Sequence, residues 1–336
     1  MTLTPASLER LLGDEKVSRL ARRYAAIKVN GLRRLDGGNA RLAWSAALSC
    51  QDAQGQVRAF DVIVLGRAEP GQISVEASTE YAVLSVLDRL QIQVPTPYAL
   101  DFDGSMAGIP AIVLQRLPGT ASLSDFRAAG NLGRRRESLL QVADCLADVH
   151  AVPISEFDQT FEPNTGFGEH LAYWDATFRS VATKPVPGLA WVYRWLREHL
   201  PADDDPVAVH GDIRPGNFLV DNDELTGVLD WEMAHAGNRL EDLTWMYRHT
   251  WTPEQVLSFD DFLARYEQRA CVGFSDRDVR YFRVFSEAKF ATISLAASFA
   301  FHERGAANLR LADRAALVPE SLTECLRWMT DSAVSS

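Results

Sequence analysis

The chain has 336 residues, 47% of them hydrophobic and 24% charged, with a formal net charge of −11. That balance excludes a disordered or fibrous chain. The acidic excess argues against nucleic acid or an anionic membrane as partner, and the length favours two packed regions over one. Four cysteines, Cys50, Cys145, Cys271 and Cys325, stand far apart with no CxxC pair. This spacing fits neither a zinc site nor a disulfide framework and suits a reducing compartment. Residues 1–16 lack a signal-peptide pattern, and the longest apolar run, 291–301, is too short to span a bilayer. A soluble, cytoplasmic protein with no membrane partner is expected.

In chain order, the first third reads as strands with one helix. Residues 31–35 are a short strand candidate, followed by the turn signal Asp36-Gly37-Gly38-Asn39. Leu42, Trp44, Ala46 and Leu48 alternate at period two, as in a half-buried strand, and residues 60–65 read as a more buried one. Residues 76–90 predict a helix with Glu80, Val83, Leu84, Leu87 and Leu90 along one stripe, ended by Pro95 and Pro97. Two further strands are expected at 98–101 and 110–116. Leu117-Pro118-Gly119 is the candidate hinge.

Beyond the hinge the pattern turns helical, with Leu139, Val142, Leu146 and Val149 at helical spacing. One interruption stands out. The apolar Val207-Ala208-Val209 leads into His210-Gly211-Asp212, and Asn217 follows five residues after Asp212. Two short strands around an Asp221-to-Glu224 turn then end in Leu229-Asp230-Trp231-Glu232. The hairpin can return Asp230 beside Asn217, and such oxygen ligands suit Mg²⁺, which combines a few protein oxygens with phosphates and water. Asp212 remains as the group able to accept a hydrogen bond from an attacking hydroxyl, as phosphoryl transfer requires. Any one of these residues alone would read as ordinary turn chemistry.

His210-Gly-Asp212-x-x-x-x-Asn217 followed by Leu229-Asp230-Trp231-Glu232 resembles the aminoglycoside phosphotransferase family, which is related to choline kinases and protein kinases. The resemblance implies an α+β, bilobal, protein-kinase-like fold, with a nucleotide-binding lobe at 1–117 and a catalytic, acceptor-binding lobe at 118–336. It implies ATP and Mg²⁺ as cofactors, Asp212 as catalytic base, Asn217 and Asp230 as metal ligands, and Arg214 as the catalytic-loop cation. His210 would organise backbone, and Asp242 would brace the catalytic loop. On the nucleotide side it implies Gly37, Gly38, Asn39, Arg67, Glu80, Gln115 and Leu117. The pattern departs at Gly66, where relatives carry Lys or Arg. Arg67 would reach the site only if a bulge redirected it.

The function expected is transfer of the γ-phosphoryl group of ATP to a hydroxyl of a small molecule. Alternatives are a catalytically silent nucleotide-binding or regulatory protein, suggested by Gly66, and a metal-dependent hydrolase using His210, Asp212 and Asp230. The resemblance covers aminoglycosides, macrolides, choline-like alcohols, homoserine and hydroxyacyl groups as acceptors, and the form of residues 211–217 leans towards acyl-CoA metabolism. Glu254, Asp260, Asp261, Glu267, Asp276 and Asp278 leave a polycationic acceptor open. His150, Trp231 and Trp245 are expected to be packing residues.

Overall fold

The computed structural model describes residues 3–35, 41–67, 77–121, 132–158, 160–161, 166–202, 206–251, 253–304 and 309–330. They divide into two compact units. The first comprises the chain up to Gly119 together with Thr226–Glu232, and the second holds Thr120–Leu225 and Met233–Ser336. The first unit therefore ends two residues beyond the expected 117/118 division and takes in a later segment as well.

The first unit begins with a helix the hydrophobic pattern does not announce, α1 (Pro5–Leu12). Thr4 caps it by accepting from the Ser7 amide, Pro5 opens the first turn, and Leu8, Leu11 and Leu12 are buried. Pro at the first helical position and a Thr cap are the local signals. Burying each leucine contributes roughly 1.5–3 kcal/mol. Five antiparallel strands follow: β1 (Ala26–Leu35), β2 (Arg41–Gln51), β3 (Val57–Arg67), β4 (Pro97–Asp101) and β5 (Ala111–Gln115), in the order β1-β2-β3-β5-β4. β1 is twice the length expected, with a register shift between Val29 and Gly31. Trp44, Ala46 and Leu48 of β2 pair with Val64, Val62 and Phe60 of β3 and pack on α1 residues in one core. The helix α2 (Ala77–Arg89) buries Glu80, Val83, Leu84 and Leu87 of the stripe read from the sequence, whereas Leu90, just past its end, is exposed.

The second unit is mainly helical: α3 (Leu132–His150), α4 (Phe167–Val181), α5 (Pro187–Glu198), α6 (Arg239–Met246), α7 (Phe259–Ala270), α8 (Asp276–Arg304) and α9 (Val318–Thr330). The strand β6 (Val207–Val209) pairs with the three-residue β9 (His235–Gly237). Between them in sequence, β7 (Phe218–Asp221) and β8 (Glu224–Val228) form a hairpin turned by Asn222 and Asp223, both at positive φ. α8 extends well past the apolar run at 291–301. Its length and composition would allow a membrane span, but 72% of its most apolar window is buried inside the protein. It packs against α4, α5, α6 and α9, as the central helix of this unit. All four cysteines are free.

Candidate active site

In the second unit, β6 delivers the chain into the loop that carries His210, Asp212, Arg214 and Asn217, and α6 holds that loop. Asn238 caps α6 in a reciprocal capping box with Glu241. This fixes the first turn and directs Asp242 at the loop: its carboxylate accepts the His210 amide at 2.7 Å and the Gly211 amide at 2.8 Å. His150 Nε2 lies 3.1 Å from the same carboxylate, and its Nδ1 lies 2.8 Å from the Tyr266 hydroxyl. Burial opposes charge on Asp242, but the hydrogen bond and charge of His150, with the donors at His210, hold its carboxyl down to about 2.

Gly211 is at φ 81, and a Cβ there would collide with the Met233 carbonyl, so glycine alone suits the position. Its own carbonyl accepts from the buried Lys289 ammonium at 2.7 Å. Burial pushes the Lys289 pKa down, against the opposing pull of Glu241, Asp212 and Asp242. His210 Nδ1 accepts the Asp212 amide at 3.1 Å, so this buried ring organises backbone, as the resemblance implies.

The Asp212 carboxylate faces three donors: Trp245 Nε1 at 2.9 Å, Asn217 Nδ2 at 2.8 Å and Arg214 Nε at 3.2 Å. The side chain is still 18% exposed. An ionised carboxylate has about four lone-pair sites, so an incoming hydroxyl still finds an acceptor. With Nδ2 of Asn217 committed to Asp212, its Oδ1 is the atom suited to a cation. Trp245 is the packing residue expected, buried with Trp251 and Phe290, and its indole in addition holds the proposed base.

In the first unit, Arg41 gathers three carboxylates. It lies 2.5 Å from Glu80, donates from Nε to Glu232 at 2.8 Å, and stands 3.9 Å from Asp230. Burial works against charge on the guanidinium, but the three carboxylates outweigh it and raise its pKa. Burial and the nearby Asp230 push Glu232 up to about 7, while Arg41 opposes them. Glu80 is fully buried and raised by that burial, with Arg41 again opposing. Asp230 adopts a left-handed φ of 68°. Trp231 anchors the segment, buried and donating from Nε1 to the Val228 carbonyl at 3.1 Å. A strained backbone at an acidic residue is a common mark of a functional position.

The strand cation thus comes from β2. The β2–β3 register runs unbroken from Arg41↔Arg67 to Gln51↔Val57, so the bulge that would have redirected Arg67 is absent. A Cβ at Gly66 would fall 2.5 Å from Ile109 Cδ1 and 2.9 Å from the Trp44 ring, so a larger residue there would require those side chains to shift. Arg41→Met should cost roughly 3–5 kcal/mol by leaving Glu80 buried and unpaired, measured from urea unfolding midpoints. Arg41→Met with Glu80→Leu should recover most of it; a single variant as stable as wild type would mean the pair is not the tie described.

Other expected residues are placed as follows. Gly37, Gly38 and Asn39 lie outside the described residues, as does the side chain of Arg67. Gln115 ends β5 with its Oε1 accepting the Thr96 amide at 3.3 Å, and Leu117 is half-buried against Gly227. The acids after residue 250 serve local structure: Glu254 accepts the Phe259 amide, Glu267 accepts the Phe274 amide, and Asp260, Asp261, Asp276 and Asp278 occupy the first turns of α7 and α8. His170, His235 and Glu241 bring three potential ligand atoms within 4.8 Å of one another. The two imidazoles lie face to face, 3.7 Å apart and 13° from parallel. Their in-plane lone pairs cannot meet at one ion, so the group is a hydrogen-bonded stack in this arrangement.

Residues 39–282 match the phosphotransferase enzyme family. Curated relatives include mouse acyl-CoA dehydrogenase family member 10, 26% identical over 49% of this chain and 16% of its own length, and chicken family member 11, 27% over 53% and 23%. A probable acyl-CoA dehydrogenase, IBR3, from Arabidopsis thaliana is 24% identical over 68% and 32%. The chain thus spans less than a third of these relatives. Among solved structures, one assigned to the aminoglycoside phosphotransferases, from Ralstonia eutropha, superposes with a TM-score of 0.76 at 17% identity over 98% of this chain and 99% of its own. A thermostable mutant of aminoglycoside phosphotransferase APH(4)-Ia, solved with AMP-PNP and hygromycin B, gives 0.60 at 17% identity over 92% and 96%. Spectinomycin phosphotransferase, solved with ADP and spectinomycin, gives 0.61 at 14% over 98% and 99%. These likenesses share the α+β, kinase-like fold, and the match over most of the sequence identifies the chain as a member of the phosphotransferase enzyme family.

Proposed function

We propose that this protein transfers the γ-phosphoryl group of ATP, in a magnesium-dependent reaction, to a hydroxyl of a small molecule. The observation that carries the proposal is the Asp212 carboxylate, oriented by Trp245, Asn217 and Arg214 yet open to solvent. The acceptor hydroxyl donates to Asp212. As its oxygen forms the new bond to phosphorus, the bond to the leaving ADP breaks and the proton passes to the carboxylate. Arg214 faces the developing negative charge from the same loop. Asn217 and Asp230 are the proposed magnesium ligands, and the ion would neutralise phosphate charge when bound.

The AMP-PNP and ADP found with structural neighbours support a nucleotide as co-substrate. The curated relatives are named for acyl-CoA chemistry, which supports a hydroxyacyl acceptor alongside the sugar-like ones. The catalytically silent alternative rested on Gly66, and Arg41 now supplies the ion pair to Glu80 that Gly66 had put in doubt.

The test is incubation with Mg-ATP and a deproteinised metabolite extract, read by mass spectrometry, with Asp212→Ala as the blank. A species gaining one phosphoryl group only with the wild-type protein is expected; equal yield from the blank would remove the mechanism. Asp230→Ala should weaken Mg-ATP binding by at least roughly 10–100-fold, the loss that even an outer-shell partner of a metal causes. Calorimetric titration with and without magnesium checks it, and unchanged affinity would take Asp230 out of the metal site.

A further inference from the structure

The surroundings of Asp212 in the second unit are cationic and aromatic. Four basic side chains lie near enough to interact with its charge: Arg214, Arg248, Arg314 and Lys289. Three of them have partners. Lys289 donates to the Gly211 carbonyl. Arg248 is buried, pairs with Glu287 at 3.0 Å, and lies 3.5 Å from the Phe290 ring centre and 4.7 Å from that of Trp251. Arg214 pairs with Asp212 itself and stands 5.9 Å over Trp251.

Arg314 is different. It opens the one-turn helix Arg314–Leu317, whose Leu317 packs on the cluster of Trp245, Trp251 and Phe290. Trp245 is the residue hydrogen-bonded to Asp212, so this turn packs on the cluster that holds the base's indole partner. Arg314 is half-buried, and among the described residues no carboxylate forms an ion pair with it. Burial and the like charge of Arg214 push its pKa down, with Asp212 pulling the other way. A half-buried guanidinium beside a second one gains most from an added anion, and its planar fork matches carboxylate and phosphate oxygens. A polycation would instead meet the like charges of Arg214, Arg314 and Lys289 around Asp212.

We propose that Arg314 recognises an anionic group, a carboxylate or a phosphate ester, on the molecule whose hydroxyl is phosphorylated. The assignment rests on the phosphotransferase reading and narrows its acceptor to negatively charged hydroxyl compounds. The remote anion fixes the acceptor while its hydroxyl addresses Asp212, a use of binding away from the reacting atom.

To test it, a metabolite extract is sorted by ion exchange into anionic, neutral and cationic fractions, each offered to the full chain with Mg²⁺ and ATP labelled at the γ-phosphate. Label should enter products of the anionic fraction. Phosphatase treatment of that fraction beforehand tells a phosphate-bearing acceptor, which is lost, from a carboxylate, which survives. Label chiefly in the neutral or cationic fraction overturns the inference while leaving the phosphotransferase reading intact. Label in no fraction, or equal label with Asp212→Ala, overturns both. With the labelled anionic compound, Arg314→Gln should raise its KM by roughly tenfold or more at nearly constant kcat, the pattern of lost uniform binding. Arg314→Lys should recover part of that loss. An unchanged KM, or a rise in the KM for ATP instead, removes Arg314 from acceptor recognition, provided thermal melts show the variant folded.

Discussion

Asp212→Ala should lower kcat for phosphoryl transfer by roughly 10²–10⁴-fold, the contribution of one positioned general base, with little change in Mg-ATP affinity. The carboxylate lies on the same loop as Arg214 and Asn217, and its partners are Trp245, Asn217 and Arg214. Removing it deletes the acceptor for the substrate proton and frees three donors that had held it in place. In a loose phosphoryl-transfer transition state little proton transfer precedes bond making. A loss near the lower end would therefore mean that Asp212 mainly aims the hydroxyl, and one near the upper end that it also takes the proton. Asp212→Asn separates these poorly, because its amide would turn a donor towards Trp245 or towards Asn217 and Arg214. Steady-state assays give kcat, single-turnover quench experiments isolate the chemical step, and a fluorescent nucleotide gives affinity. Wild-type turnover in Asp212→Ala would move the base elsewhere.

Asp242→Asn should destabilise as much as Arg41→Met, roughly 3–5 kcal/mol, as expected when one partner is lost from a buried charge network. Both oxygens are used, one on the Gly211 amide and the other on the His210 amide and His150. An amide nitrogen in either position would face a donor with a donor. The same change should lower kcat, since the loop carrying Asp212 loses its brace. Urea midpoints and activity measured on one preparation check both, and a variant within about 0.5 kcal/mol of wild type, the range of ordinary surface substitutions, would show that the network is not needed.

The pH dependence follows from the same group. Its folded pKa, about 2, lies below the ordinary carboxylate value of 3.8, so its stabilisation is fully present above about pH 4 and is lost as pH falls towards 2. The shift corresponds to about 2 kcal/mol. Asp242→Asn should lack this component of acid sensitivity.

The motif residues were legible because they are local. His210, Asp212 and Asn217 occupy eight residues of one loop, and Asp230 follows one hairpin, so spacing alone carries the chemistry. Strand alternation at Trp44, Ala46 and Leu48 and the Glu80 stripe were legible for the same reason. What was not legible depends on distant partners. Arg41 begins β2 without distinction in sequence, and only the pairing of β2 with β3 and the position of α2 give it Glu80. Trp245, Lys289 and Arg314 reach the neighbourhood of Asp212 from α6, α8 and a single helical turn, placements fixed by packing across the whole second unit. The helix α1 did carry a signal, Thr4 before Pro5, but eight residues are too few for periodicity to announce. β9 is three residues long and exists as a strand only by pairing with β6.

The position of Arg41 bears on how enzymes of this kind are sorted into active and inactive. A survey that judges competence by looking up one alignment column, the third-strand lysine, would find Gly66 and set this chain aside as degenerate. The ion pair with the helix glutamate is nevertheless present, carried by a residue 25 positions earlier in the chain. Competence is better scored on whether a buried Glu80-like carboxylate has a cation within reach than on which strand supplies it. By that criterion some chains set aside for a missing lysine merit assay before they are counted as silent.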